Sequence, residues 1–284
     1  MTNPALYNLS HLELIPIHGE KASDFLQGQV TCDVREITTK QTRYAAHCSA
    51  KGRVLSFFRI IQFQKQYYLL APAVMVDLIR TQLKKYAVFS KVSLELDHTL
   101  RIIGCSGTEP AYTLEQILGQ VPKNPDEAAY AAEKALLIIQ AKGALPRFEI
   151  IGENAVMDEL WKTLRGQYPE QENECWKSLD IAAGVATIYP ETSDLFTPHM
   201  LNYPSINAVS FKKGCYIGQE VIARTQYLGK AKRGLHKLVL KSEHALKPGE
   251  TILNESQESA GIIVESVLQK ANEYDILAVM HDII

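Results

Sequence analysis

Cys215 follows two lysines and is flanked by glycines in the segment FKKGCYIGQEVIAR, residues 211–224. Gly214 and Gly218 allow the backbone a positive φ or a close approach to another group. The apolar residues that follow have helical spacing, which predicts a helix directly after the cysteine. A helix N-terminus and neighbouring cations favour the thiolate form. The segment therefore predicts either a reactive sulfur or, as the alternative, a small buried hydrophobic residue in a glycine turn.

The same segment carries a local excess of positive charge. Between Lys212 and Lys237, seven basic residues stand against one acidic residue, Glu220, so this stretch carries +6. The whole chain carries -2, and the remainder therefore carries -8. We call residues 212–237 the basic stripe. Such a stripe indicates an anionic ligand or a nucleic-acid backbone, or else a solvated face whose charges pair with acids elsewhere.

Composition narrows the class of protein. With 284 residues, 46% of them hydrophobic and 22% charged, the chain is typical of a globular protein with one large or two to three small domains. We find no signal-peptide pattern and no apolar run of membrane-spanning length, so we expect a cytoplasmic protein without membrane contact, and a monomer. The five cysteines are scattered without a Cys-x-x-Cys pair, which disfavours a disulfide framework or a self-contained metal site.

Short strands and helices alternate along the part of the chain that must position Cys215. Predicted strands are LELIPI, RVLSFFRIIQF, KVSLELD, LRIIGCSG, ALLIIQA and RFEIIG, and predicted helices are AVMVDLIRTQLKKY, AYTLEQILGQ, MDELWKTLRG and CWKSLDIAAG. This order predicts an α+β domain with mainly antiparallel sheet. After Gly234 only short strands follow, which indicates a small all-β unit.

Several motifs together resemble one known family. The residues from Lys213 to Glu220 match the Lys-Gly-Cys-Tyr-x-Gly-Gln-Glu signature of the YgfZ-type folate-dependent proteins, a branch of the glycine-cleavage T-protein superfamily. Further matching segments are FLQGQVTCDV, AAHCSAKGRV, LKKYAVFSKV and WKSLDIAAGVATI, and they occur in the family's order. The resemblance covers nearly the whole chain.

The resemblance implies a T-protein-like folate-binding fold in residues 1–235, with interleaved antiparallel α+β subdomains around a channel. It implies a small C-terminal β-barrel in residues 236–284 and tetrahydrofolate as the ligand. Trp176 matches the tryptophan beside the folate channel. Two positions depart from the family, since Leu12 stands where some members have a second aromatic wall and Ser49 stands where relatives often have aspartate.

The resemblance also assigns roles in the cysteine motif. Cys215 is the candidate thiolate, and Lys213 would bias it toward that form. The supporting residues would hold the loop and balance its charge; they are Gly214, Tyr216, Gly218, Gln219, Glu220 and Arg224. Ordinary aminomethyltransferase chemistry is rejected, because Ser56 and Phe57 in GRVLSFF stand where that enzyme has carboxylates, and neither can act as a base near neutral pH. We predict no resident metal.

Three functional hypotheses remain. The first is iron–sulfur cluster assembly or repair with folate and Cys215, which would support tRNA modification such as methylthiolation through client enzymes such as the tRNA methylthiolases. The second is a module that docks tRNA or a protein through the basic stripe, with folate as an effector. The third is a folate-dependent one-carbon transferase, which requires a carboxylate from outside GRVLSFF to enter the channel.

Overall fold

The computed structural model describes residues 4–229 and 233–281. Its helices are α1 (Ala22–Gln29), α2 (Val76–Ser90), α3 (Thr108–Leu118), α4 (Asn154–Arg165), α5 (Asn173–Ala183) and α6 (Gln219–Leu228). Its strands are β1 (Ala5–Tyr7), β2 (Leu12–Ile17), β3 (Arg43–Cys48), β4 (Val54–Phe63), β5 (Gln66–Pro72), β6 (Leu100–Ser106), β7 (Ala128–Ala131), β8 (Leu136–Gln140), β9 (Arg147–Glu153), β10 (Glu170–Gln171), β11 (Arg233–Lys241), β12 (Thr251–Leu253), β13 (Ser259–Lys270) and β14 (Glu273–His281).

The strands form three sheets. A six-stranded sheet has the order β10-β1-β6-β9-β8-β7, a four-stranded sheet has the order β2-β5-β4-β3, and a second four-stranded sheet has the order β11-β14-β13-β12. The short pair of β1 with β10 is parallel, whereas the other ladders in the described residues are antiparallel. The predicted α+β class with mainly antiparallel sheet is confirmed.

The first two sheets are interleaved along the chain. β1 belongs to the six-stranded sheet, β2 to β5 form the other sheet, and β6 to β10 return to the first. Residues after α5 pack again on the sheet formed by β2 to β5, because Val185, Tyr203 and Ile222 share a hydrophobic core with Phe57 of β4. The segment around Cys215 is therefore held against strands that precede it by about 160 residues or more.

The C-terminal strands form an open sheet. β14 pairs with β11 and β13, and β12 pairs with β13, so β11 and β12 are the edges. A closed β-barrel, as the resemblance implied, is not formed by the described residues. This sheet packs on the rest of the protein, because Val264, Val267 and Leu277 belong to the core that includes Phe57.

One predicted strand is wrong. KVSLELD forms no strand, apart from an isolated bridge between Ser93 and His18. Its alternating apolar residues Val92 and Leu94 are buried, but the carbonyl oxygen of Leu94 accepts a hydrogen bond from Arg80 of α2 at 2.9 Å. Alternation of buried and exposed residues does not by itself produce a strand. Here a side chain makes the backbone hydrogen bond that a neighbouring strand would otherwise make. Within residues 4–229 and 233–281, no helix has the length and apolarity to cross a membrane.

Candidate functional site

The cysteine loop ends in a tight turn before α6. Cys215 is exposed, and α6 begins four residues later at Gln219, so the sulfur lies further from the helix N-terminus than the sequence indicated. Gly218 precedes the helix with φ +82°. A Cβ at this position would lie 2.5 Å from the carbonyl oxygen of Ser49. Glycine is required here both for the left-handed conformation and for the close approach to the Ser49 turn.

Lys213 is directed into the interior. Its Nζ donates to the carbonyl oxygens of Val30 and Cys32, each at 2.7 Å, and lies 5.0 Å from the centre of the Tyr216 ring. The residue is only 5% exposed, and burial lowers the pKa of its ammonium to about 8. Lys213 therefore anchors the loop to the segment after α1, and its charge is engaged by backbone carbonyls.

Of the remaining motif residues, two are in the interior or half-buried and two face solvent. Tyr216 is buried, and burial raises the pKa of its hydroxyl. Gln219 is half-buried, with its Nε2 3.5 Å from the carbonyl oxygen of Lys213. Glu220 and Arg224 are exposed. These contacts fit the predicted role of holding the loop for Tyr216 and Gln219, whereas Glu220 and Arg224 face solvent.

The basic stripe is only partly a surface feature. Lys213 is buried and does not contribute to an exposed face. Lys230 and Lys232 lie outside the described residues. The exposed members in the described part are Lys212, Arg224, Arg233 and Lys237.

Trp176 lines one end of a cavity inside the protein. It is 1% exposed, packs edge-on against Tyr7 at 5.1 Å, and lies 4.9 Å from the guanidinium carbon of Arg147. The cavity beside it has a volume of about 50 Å³, and Leu12 and Phe57 are among its other lining residues. Trp176 is therefore both a core aromatic and a wall of a cavity.

Charged side chains surround this end of the cavity. Glu149 lies 3.3 Å from Nε of Arg59, which also contacts Asp126 at 2.7 Å, and Arg147 donates to Asp180 at 2.6 Å. Burial raises the pKa of Glu149, and the charge of Arg59 opposes this shift. Within the described residues, Oε2 of Glu149 accepts no aligned hydrogen bond. A ligand with N–H donors would satisfy that oxygen.

Three cavities that share lining residues lead from this end toward the surface. We call them the inner cavity (about 50 Å³, beside Trp176), the middle cavity (about 80 Å³) and the outer cavity (about 610 Å³), and together the channel. Residues shared by the inner and middle cavities are Leu12, Pro72, Asp180 and Thr187, and residues shared by the middle and outer cavities are Val74, Lys177 and Tyr189. The channel thus runs between the interleaved sheets and the C-terminal sheet.

The channel contains carboxylates that the sequence did not place there. Ser56 is buried and Phe57 lines the inner cavity, so that strand supplies no carboxylate, as predicted. Glu149 of β9, Asp180 of α5 and Glu265 of β13 line the inner and middle cavities instead. The sequence alone could have indicated Glu149, because a charged residue inside the buried run RFEIIG requires a partner. Asp180 and Glu265 had no such local signal.

Cys215 and Trp176 are not brought into one cavity. Cys215 is not among the residues that line the inner, middle or outer cavity. Within the described chain, no three His, Cys, Asp or Glu side chains cluster in a way that could hold a metal ion. The Ser49 hydroxyl donates to Asp194 at 2.9 Å, on the turn that supports the cysteine loop.

Comparison with solved structures defines the class of fold. The chain superposes on the crystal structure of glycine cleavage system aminomethyltransferase T from Bartonella henselae with a TM-score of 0.76, covering 98% of this chain and 78% of that one at 17% identity. The interleaved sheets therefore have the fold of an aminomethyltransferase T-protein. At this identity the likeness shows the fold alone.

Sequence comparison then shows the family. The chain is 36% identical over 262 residues to the tRNA-modifying protein YgfZ of Colwellia psychrerythraea, covering 91% of this chain and 80% of the relative. It is 32% identical over 247 residues to the tRNA-modifying protein YgfZ of Sodalis glossinidius, covering 87% and 75%. No protein-family model matches the chain. The chain belongs to the YgfZ family.

Proposed function

We propose that the protein binds a reduced folate in the channel and supports tRNA modification through iron–sulfur cluster assembly or repair, with Cys215 as the exposed thiol. The observation that carries the folate part is the channel itself, which runs from the inner cavity beside Trp176 to the larger outer cavity. The YgfZ relatives are named tRNA-modifying proteins, which supports the connection with tRNA modification.

The residues fit a pterin and its tail. Trp176 supplies an aromatic wall, and Glu149 supplies a carboxylate oxygen without an aligned hydrogen bond for the N–H edge of a pterin ring. The outer cavity is lined by Lys177 and Lys247 as well as by Glu191 and Glu250, and the two lysines suit the carboxylates of a glutamyl tail. The volumes of the inner and middle cavities are smaller than the roughly 300–1,000 Å³ of typical ligand sites. Binding therefore requires side chains such as Leu12 to move apart.

Cys215 would act outside the channel. Its exposed sulfur is accessible to a partner protein, whereas Cys32, Cys48 and Cys105 are buried. An iron–sulfur cluster that contacts Cys215 would take its other ligands from the client. The folate in the channel and the thiol outside it would then contribute to one function from two separate places in the protein.

Tryptophan fluorescence tests the folate part. The protein has two tryptophans, and Trp161 lies in a different core, so Trp161→Phe leaves Trp176 as the reporter. Tetrahydrofolate should change the emission of the Trp161→Phe protein, and Trp176→Phe should show no such change. A titration in which Trp176 does not respond and no binding is found by calorimetry contradicts the folate site.

Complementation tests the cellular part. In a strain that lacks this function, wild type should restore the activity of iron–sulfur tRNA-modifying enzymes, whereas Cys215→Ser and Trp176→Ala should not. Full rescue by Cys215→Ser removes the thiol from the proposal and leaves the folate site in place.

A second candidate is an RNA-docking role of the basic stripe. The exposed residues Lys212 and Arg224 lie on the same segment as Tyr227, which is 69% exposed and packs edge-on against Phe211 at 6.1 Å. An exposed aromatic ring among cations is suited to single-stranded RNA. Binding of tRNA that weakens steeply with salt and is lost in Tyr227→Ala would favour this role.

A further inference from the structure

The three carboxylates of the inner and middle cavities, Glu149, Asp180 and Glu265, differ in how their charge is balanced. Glu149 lies 3.3 Å from Arg59, and Asp180 lies 2.6 Å from Arg147. In the described residues, no basic nitrogen lies within ion-pair distance of Glu265. A buried carboxyl without a cation favours its neutral form.

Glu265 is held in place by two donors. It lies on β13, is 2% exposed and lines the middle cavity. Tyr189 Oη donates to its Oε1 at 2.7 Å, and the Thr187 N–H donates to its Oε2 at 3.3 Å. Burial raises the pKa of Glu265 to about 7, and the hydrogen bond from Tyr189 limits that rise. Because both partners donate, the proton of the neutral carboxyl is available to a molecule in the cavity.

We propose that Glu265 is a neutral carboxyl that donates a hydrogen bond to an amine nitrogen of the ligand in the middle cavity. The inference rests on the proposed folate site. With the pterin ring in the inner cavity and the glutamyl tail in the outer one, the middle cavity would receive the amine bridge of tetrahydrofolate. Glu265 would then supply a carboxyl group to the channel, which the strand containing Ser56 and Phe57 lacks.

In this contact the O–H group of Glu265 keeps its proton and shares it with the ligand nitrogen. The two carboxyl oxygens continue to accept from Tyr189 and from the Thr187 amide. No covalent bond is broken, so no oxidant or reductant is required.

The surroundings of Glu265 fit a neutral carboxyl. From α5, Asp180 and Lys177 line the same cavity, Tyr189 comes from the loop after α5, and His11 comes from the turn before β2. The negative charge of Asp180 favours the protonated form of Glu265. Burial and then the charge of Lys177 lower the pKa of His11, which favours its neutral form.

Calorimetry tests the inference. Tetrahydrofolate is titrated anaerobically into the full chain in buffers of different ionisation enthalpy, which gives the number of protons taken up on binding. At pH 7 wild type should take up about half a proton, because Glu265 is about half protonated before binding and the complex holds one full proton. The uptake should fall at pH 6 and rise at pH 8.

Two variants separate this role from a general effect. Glu265→Gln should lose the proton uptake, because an amide does not titrate, and should bind several-fold more weakly, because a weaker amide donor replaces the carboxyl. Glu258→Gln, an exposed residue near the same sheet, should match wild type. Tight binding by wild type without pH-dependent uptake overturns the inference and leaves the folate site standing. Absence of binding by wild type overturns the proposed function itself.

Discussion

The Nζ of Lys213 lies 2.7 Å from the carbonyl oxygen of Cys32, which precedes it by 181 positions. This contact, together with the one to Val30, fixes the start of the cysteine motif to the protein interior. The neighbouring Lys212 is exposed. Two adjacent lysines that look equivalent in the sequence therefore have different roles.

Replacement of Lys213 tests its role as an anchor. Lys213→Met should lower the free energy of unfolding by about 1–3 kcal/mol, because two buried carbonyl oxygens lose a charged donor. Lys212→Met should change it by less than about 0.5 kcal/mol, since the side chain is in solvent. Urea denaturation of both variants at pH 7 makes the comparison. Equal stability of the two proteins would show that the buried contacts contribute nothing.

The two motif glycines should respond differently to alanine. Gly218→Ala should cost about 1–3 kcal/mol, because it combines a φ of +82° with a Cβ only 2.5 Å from the Ser49 carbonyl oxygen. Gly214→Ala meets no atom within 4 Å and should be nearly neutral in stability. Thermal unfolding followed by circular dichroism measures both. A Gly218→Ala protein that melts at the wild-type temperature contradicts the described turn.

The exposed cysteines allow a matched test of function without a change in folding. Cys215→Ser and Cys175→Ser each alter a side chain at the surface, so both should unfold within about 0.5 kcal/mol of wild type. Only Cys215→Ser should fail in complementation. Loss of function in Cys175→Ser alone would assign the working thiol to α5.

The stability of the protein should depend on pH through Glu265. Its pKa is about 7 in the folded protein and near 4.5 as the ordinary value, so the folded state binds more protons between these pH values. The free energy of unfolding due to this group therefore falls as pH rises from about 4.5 to about 7 and is constant above that. At pH 8, Glu265→Gln should be more stable than wild type by on the order of 3 kcal/mol.

The measurement is urea unfolding of wild type and Glu265→Gln at pH 5 and pH 8. The difference between the two proteins should be small at pH 5 and large at pH 8, which separates Glu265 from groups that titrate equally in both. If the difference in the free energy of unfolding between the two proteins does not change with pH, Glu265 is not protonated in the folded state. A more stable variant that binds ligand less well would match a site in which function costs stability.

Most of the secondary structure near the site was predictable. The run VLSFFRIIQF forms β4, and CWKSLDIAA lies in α5, which ends at Gly184 with φ +70°. These patterns act over a few residues, through side-chain periodicity and the conformational freedom of glycine. The strand predicted for KVSLELD failed because Arg80, from a separate helix, satisfies its backbone.

The sequence by itself determined the family, the α+β class, the cysteine motif and the lack of a carboxylate in GRVLSFF. Each of these depends only on residue types and their spacing along the chain. Only the tertiary structure decided that Lys213 lies inside, that the last four strands form an open sheet, and that Glu149, Asp180 and Glu265 line one channel. Those outcomes depend on contacts between residues far apart in the chain and on the removal of water around them. Local spacing carries no information about either.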